Sequence, residues 1–340
     1  MKTMDSQLIR LHFIHECIIK FACCTLLLSA ATTGKVAAGE LSSTFYDSSC
    51  PDVISIVRKV VAGAIQKEAR MAASLVRLHF HDCFVHGCDG SILLDDTADF
   101  KGEKTAGPNL NSARGFDVID DIKTEAENNC PGIVSCADIL TMAARDSVEL
   151  SGGPCWTVLL GRQDSKSASL NAANTEIPGP SLTAAELGAK FQSKGLSLTD
   201  MVTLSGAHTL GKAHCNLIEN RFRNFNGTGT ADPAISSWFV RYIVNQCSNT
   251  SDGSQLVLLD SVTPTKFDNR YYENLIGNMG VLSSDQVLFS TEGDTKELVK
   301  SYCGNQSAFF NNFVTAMLKL GNLQEEEEGE IRKNCHVRNS

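Results

Sequence analysis

"RLHFHDCFVHGCDGS", residues 77–91, holds three histidines, two cysteines, two aspartates and an arginine in fifteen positions. Packing alone does not account for such a run, because charged groups and histidines are seldom buried without partners. Read as helix from Ala72 to Phe84, it places Arg77, Phe80 and His81 on one face at spacings of three and four, with His79 turned elsewhere. Arginine stays charged and presents a fork of donors, and histidine accepts and returns a proton near neutral pH. A lone histidine on an apolar face is more often a satisfied core residue. The arginine beside His81 tips the reading toward chemistry.

The residues that follow are rich in oxygen. Asp82, Asp89 and Ser91 offer side chains, and Val85 and Gly87 offer carbonyls, a donor set that suits a hard cation such as calcium. The spacing is not that of an EF-hand, and the plain alternative is a capped acidic turn. Cys83 and Cys88 bracket so short a loop that they are natural mutual partners. Further along, "LSGAHTLG" (204–211) sets His208 among small residues at a helix end, where a flat group could approach closely. "LLDSVTPTKFDNRYY" (258–272) is a second oxygen-rich run with Asp260, Thr263 and Asp268. Neither zinc-ligand spacing nor a nucleophile elbow occurs.

The N-terminus reads as a secretory signal, residues 1–39. Lys2, Arg10 and Lys20 precede the apolar "FACCTLLLSAA", too short to span a bilayer, and Ala37 and Gly39 suit a cut before Glu40. No other stretch is long and apolar enough for a membrane span. The whole chain carries 30 basic and 39 acidic residues; without the signal, 26 and 37 remain, a net charge of −11. So acidic a protein is poorly suited to nucleic acid. Sequons at Asn226, Asn249 and Asn305 agree with export. Ten of the 13 cysteines lie beyond the signal, and an oxidising compartment should pair most of them.

Apolar residues recur at three and four along most of the chain, which predicts a mainly α protein of about ten helices with minor β. Ser135 is expected to cap the helix that opens "SCADIL", Thr183 and Glu186 to form a capping box, and Thr199 to cap the next helix. Only "CWTVLLGRQDS" (155–165) looks strand-like. The run of glutamates at Glu325–Glu328 reads as a solvated loop.

Together "RLHFHDCFVHGCDGSILLDD", "GPNLNSARGFDVID", "CPGIVSCADIL", "LSGAHTLG", "FDNRYY" and "SSDQVLFS" resemble the secreted plant haem peroxidases of the horseradish type, class III. The resemblance spans essentially all of residues 40–340. It implies a peroxidase domain there, with a distal half over about 40–180, a proximal half over about 181–320, one haem b between them, and a C-terminal segment tied back to the distal half. His208 matches the proximal iron ligand, and Asp285, which by itself would look like a helix cap, matches the carboxylate behind it. His81 matches the general base, Arg77 the group that stabilises charge as the O–O bond breaks, and Phe80 the ring limiting access to iron. Asn109 matches the acceptor that keeps His81 basic.

The same resemblance assigns Asp82, Val85, Gly87, Asp89 and Ser91 to a distal calcium, with Glu103 through water. Thr209, Asp260, Thr263, Lys266 (by its carbonyl) and Asp268 go to a proximal calcium. It pairs Cys50–Cys130, Cys83–Cys88, Cys136–Cys335 and Cys215–Cys247. Cys155 and Cys303 are left over, able to form a fifth bridge or to remain as buried thiols, the latter preferred here. Pro178 matches a contact for phenolic donors. At the access rim this chain has Gly107, Ser181 and Leu217 where the horseradish enzyme carries phenylalanines. Gln163 stands where arginine is usual, and the linker before Cys335 is about two residues short and lacks the usual turn residues. The resulting expectation is a secreted monomer, in the cell wall or vacuole, that uses hydrogen peroxide to oxidise phenols. A haem-binding adhesion glycoprotein would not need Arg77, His81, Asn109 and Asp285 together, and a calcium-dependent hydrolase would need a nucleophile that is not found.

Overall fold

The computed structural model describes residues 41–248, 253–324 and 328–339. The signal reading, the sequon at Asn249 and Glu325–Glu327 lie outside the described residues. Among the described residues there are thirteen α-helices and one two-stranded ribbon. None is long and apolar enough to cross a membrane.

Helix α1 (Val53–Lys67) and helix α2 (Met71–Phe84) are separate helices, divided at Glu68–Arg70. Helix α3 (Phe116–Asn129) and helix α4 (Cys136–Leu150) complete a packed group, with α4 in contact with α1, α2 and α3. The sequence predicts one apolar face for α4, yet every residue from Cys136 to Val148 is buried. Its buried charged side chains are paired: Asp138 accepts from Arg162 at 2.7 Å and from the Tyr46 hydroxyl at 2.8 Å, and Asp146 takes Arg145 at 2.7 Å, whereas the Ser147 hydroxyl finds no hydrogen-bond partner among the described residues. Ser135 caps α4 by accepting from the Asp138 amide.

Next come α5 (Leu170–Glu176), α6 (Ala184–Ser193) and α7 (Leu198–Ser205). Thr183 and Glu186 form the expected capping box on α6. On α7 the cap is Ser197, not Thr199: Ser197 and Asp200 make the reciprocal pair. In "SLTD" Asp200 stands three residues after Ser197, where a capping box needs it. Then follow α8 (Cys215–Arg223), α9 (Ser237–Gln246), α10 (Arg270–Ile276), α11 (Ser283–Ser290), α12 (Asp294–Cys303) and α13 (Gln306–Gly321). Several of the helices beyond the expected ten are short, and seven or eight residues show too few turns for a period to stand out.

Strands β1 (Lys212–His214) and β2 (Leu256–Leu258) pair antiparallel, with Ala213 opposite Val257. "CWTVLLGRQDS" is not a strand of a sheet. It is extended and alternates, burying Trp156, Val158, Leu160, Arg162 and Asp164, and among the described residues it forms isolated bridges, Ser42 with Leu160 and Glu330 with Asp164. Its side chains follow strand periodicity, but among the described residues its backbone joins no ladder of several pairs.

The four bridges are Cys50–Cys130, Cys83–Cys88, Cys136–Cys335 and Cys215–Cys247. Cys155 and Cys303 are not the buried thiols expected: Cys155 is exposed and Cys303 half-buried. Cys155 falls on the outward phase of the extended segment, so the alternation that buries Trp156 turns it to solvent. Gln163, the residue in place of arginine, accepts from the Gly329 amide at 3.1 Å, and the fully buried Arg332 donates to the Gly90 and Cys335 carbonyls.

Candidate active site

Helix α2 brings Arg77, Phe80 and His81 onto one face. Arg77 is anchored by the loop after α2: its Nη2 donates to the Pro108 carbonyl at 2.6 Å and to Ser112 Oγ at 3.0 Å. Its Nε lies 3.2 Å from His81 Nε2. On the other side of the ring, His81 Nδ1 is 2.5 Å from Asn109 Oδ1, and Asn109 Nδ2 donates to the Glu103 carbonyl at 2.9 Å. A carbonyl only accepts, so Glu103 fixes which end of the amide is nitrogen. Asn109 Oδ1 must then accept from His81, which puts the proton on Nδ1 and leaves a lone pair on Nε2. Burial, then the Arg77 charge, lowers the His81 imidazole to about 3, with Asn109 opposing. Burial and Arg70 bring Arg77 down to about 10, so it stays cationic at neutral pH.

Phe80 stacks towards Phe84 and Phe191, at centroid distances of 4.9 and 6.1 Å. His79 faces away and packs against Cys83 Sγ at 3.5 Å, a core histidine lowered to about 3 by burial. His79, Cys83 and Cys88 cluster tightly, but both sulfurs belong to the Cys83–Cys88 bridge, so they are not a thiolate metal site.

His208 stands on a single 3-10 turn, Gly206–Thr209, that continues α7. Gly206 is required there, since a Cβ would run into the Tyr272 hydroxyl and the Phe309 ring. Asp285, in the first turn of α11, accepts from His208 Nδ1 at 2.8 Å, which leaves His208 Nε2 available as a ligand. Burial alone would lower His208; the charge and hydrogen bond of Asp285 outweigh it and raise the imidazole above its ordinary value. Its side chain is 39% exposed, although it lies deep among protein atoms. Arg77, Phe80, Ser205 and Ala207 also stay only partly buried in this interior. These side chains thus border an internal space, across which His208 feels Arg77 and His81 feels His208. A free imidazole nitrogen, an aromatic ring and small residues around a space fit a haem.

Two further clusters flank the histidines. Asp82, Glu103 and Ser91 are buried beside Asp89, and Ser91 Oγ and Glu103 Oε2 have no hydrogen-bond partner. Burial and the Asp89 charge push Asp82 well above the carboxylate range and Glu103 up to about 8, and burial lifts Asp89 to about 6. The charge of Arg332 reaches Asp89 without bringing these carboxyls back to their ordinary range, and their crowded oxygens suit a calcium ion. At Gly87 a Cβ would meet the Leu323 carbonyl at 2.8 Å, so the chain can turn there only with glycine. In the second cluster Thr209 Oγ1 lies 3.4 Å from Asp260 Oδ2, 3.5 Å from the Lys266 carbonyl and 3.4 Å from Asp268 Oδ1. Thr263 Oγ1 is 3.1 Å from Asp260 and 3.2 Å from Asp268. One hydroxyl proton cannot serve three acceptors, so this convergence of oxygens also fits a cation.

The peroxidase family model matches residues 57–305. Peroxidase 49 of Arabidopsis thaliana is 50% identical over 304 residues, covering 89% of this chain and 92% of that protein. Peroxidase N of Armoracia rusticana is 49% identical over 303 residues, 88% and 91% of the two chains. Peroxidase 15 of Ipomoea batatas is 49% identical over 300 residues, 87% and 92%. The chain belongs to the peroxidase family, in its class III plant branch. It is an oxidoreductase that reduces hydrogen peroxide while oxidising a small donor, and it belongs to a family that in general uses haem and calcium.

In this peroxidase Pro178 is half-buried, whereas Gly107, Ser181 and Leu217 are exposed, Leu217 at 55%. Asn226 and Asn305 are exposed, and Asn305 also caps α13 through its Oδ1. Sequence reasoning missed three groups. The Pro108 carbonyl and Ser112 hold Arg77, and they lie in the same "GPNLNS" loop that supplies Asn109, a proximity that was a usable signal. Tyr271, whose hydroxyl donates to Asp285 Oδ1 at 2.9 Å, stands in the quoted "FDNRYY", where nothing local marks it.

Proposed function

We propose that this peroxidase binds one haem b between a distal and a proximal half, with His208 as the protein ligand of its iron, and two calcium ions. When bound, the haem supplies the iron that takes two oxidising equivalents from peroxide and returns them to donors one at a time. The single observation that carries the reading is the chain Glu103 carbonyl–Asn109–His81 beside Arg77, because it keeps the proton on Nδ1 and leaves Nε2 as an acceptor, which takes a hydrogen bond from the fixed Arg77 cation at 3.2 Å.

His81 Nε2 takes the proton from the inner oxygen of hydrogen peroxide and delivers it to the outer one, which departs as water. Arg77 stabilises the negative charge that develops on the departing oxygen, and its bonds to Pro108 and Ser112 keep it from reorienting. Phe80 narrows access, so that peroxide enters and bulkier donors stay outside. His208 is oriented by Asp285, which gives the imidazole anionic character. Thr209 and Asp82 each follow a histidine directly, so calcium held by Thr209, Asp260, Thr263, Lys266 and Asp268, or by Asp82, Val85, Gly87, Asp89, Ser91 and, through water, Glu103, fixes the backbone that aims His208 and His81.

Phenolic donors give up single electrons at the rim near Pro178, two per peroxide, and leave as radicals. The protein acts as a secreted monomer in the cell wall or vacuole, with glycans at Asn226, Asn249 and Asn305. An optical spectrum of the purified protein tests the reading. One equivalent of peroxide should shift the haem band, and a phenol should return it in two steps. A haem band indifferent to peroxide would rule out the roles given to Arg77 and His81.

A further inference from the structure

Asp285 Oδ1 receives two hydrogen bonds. One comes from His208 Nδ1 at 2.8 Å, the other from the Tyr271 hydroxyl at 2.9 Å. A carboxylate oxygen has two lone pairs, so both are engaged, and donors that share one acceptor draw on the same charge. Tyr271 is buried on α10, its ring 6.4 Å from that of His208 and 5.0 Å from that of Tyr272. The helix has little freedom to move it: Asn269, just before α10, donates to the Tyr302 and Cys303 carbonyls at 2.9 Å, and the Arg270 amide donates to Asp268. The buried Arg221 also exerts its charge on Asp285.

We infer that Tyr271 is a positioning residue that sets how strongly His208 donates to its metal, by holding part of the charge on Asp285 Oδ1 that would otherwise pull on His208 Nδ1–H. This rests on the reading of His208 as the iron ligand. With the phenol in place, His208 keeps more of its proton and less imidazolate character. Without it, Asp285 turns its charge on His208 alone, and a more anionic imidazole favours ferric over ferrous iron. Tyr272 provides an internal control. It is the next residue and just as buried, but its hydroxyl donates to the Val202 carbonyl at 3.0 Å and not to Asp285.

The test compares ferric holoprotein of the natural chain, Tyr271→Phe and Tyr272→Phe by midpoint potential and by the iron–imidazole stretching band of the reduced form. Loss of one hydrogen bond worth about 1 kcal/mol should move the equilibrium of Tyr271→Phe about fivefold toward ferric. At 59 mV per tenfold that is about 40 mV downward, with the stretching band rising. Tyr272→Phe should leave both unchanged. Tyr271→Phe matching the natural chain on both readouts, or Tyr272→Phe moving as far, overturns the inference. If Tyr271→Phe does not hold haem, the natural chain grown with fluorotyrosine replaces it: the more acidic phenol should move potential and band the other way, and no movement overturns the inference. A natural chain with no iron–imidazole band fails earlier, at the assignment of His208.

Discussion

Asn109 accepts from His81 Nδ1 while giving its own amide hydrogen to the Glu103 carbonyl, so one side chain ties the orientation of the His81 ring to the loop that also carries the buried Glu103 carboxyl. Asn109→Val removes the acceptor and frees the tautomer of His81. General-base catalysis contributes about 10²–10⁴-fold, and losing its orientation should cost about 10–100-fold in the rate of reaction with peroxide. Donor oxidation, measured separately by stopped flow, should not change. An unaltered peroxide rate would show that Asn109 does not orient the base.

Chelation should lower turnover before it unfolds the protein. Removing a cation from Asp82 and Asp89, or from Asp260 and Asp268, loosens the backbone next to His81 and His208, while the core packed around α4 persists. Each site held at 100 times its Kd adds about 2.7 kcal/mol, so the melting temperature should also fall. Activity and far-ultraviolet circular dichroism followed through one chelator titration decide it. Coincident loss of both would remove the coupling between calcium and histidine geometry.

Asp200 ties the start of α7 to α13. It accepts from the Ser197 amide and hydroxyl, and from Lys319 Nζ at 2.8 Å. Burial alone would raise its carboxyl; Lys319 and Ser197 outweigh this and hold it below the ordinary range. A depressed folded-state value means that this stabilisation is complete above the unfolded value, about 3.9, and is lost as pH falls through the folded value. Asp200→Asn should therefore cost about 1 kcal/mol at pH 6 and progressively less below pH 4. Denaturant melts at both pH values measure it. A difference that persists undiminished at low pH would mean the cost is steric.

Leu217 is exposed, at a position that the proposed function puts at the donor rim. Leu217→Phe adds an aromatic face, and an aromatic pair is worth about 0.5–1.5 kcal/mol. KM for simple phenols should fall about two- to tenfold, with the peroxide reaction unchanged. Steady-state kinetics with several phenols test this, and equal KM values would place donor binding elsewhere.

The helical α1 and α2, the common face of Arg77, Phe80 and His81, and the caps at Ser135 and Thr183 were legible because they depend on neighbours within four residues. Side-chain period and capping chemistry are written locally. The oxygen-rich runs were legible as composition. What they surround was not, since Thr209 meets Asp260 and Asp268 only after more than fifty residues of chain have returned.

Extended "CWTVLLGRQDS" shows the limit from the other side. Its alternation is legible in the residues, but a strand needs a partner, and whether one lies alongside is decided by the path of the rest of the chain. Cys155 is exposed for a related reason: phase along the segment, not hydrophobicity, sets which way it points.

By itself, then, the sequence determined the helical class, the face of α2 that carries the chemistry, and, through its motifs, the family. Only the tertiary structure decided that Tyr271 and His208 share one oxygen of Asp285, and that Arg332 closes on Gly90 across most of the chain. Local preferences act through a few bonds, whereas a hydrogen bond between distant residues exists only once packing has brought their elements together and excluded the water that would compete for it.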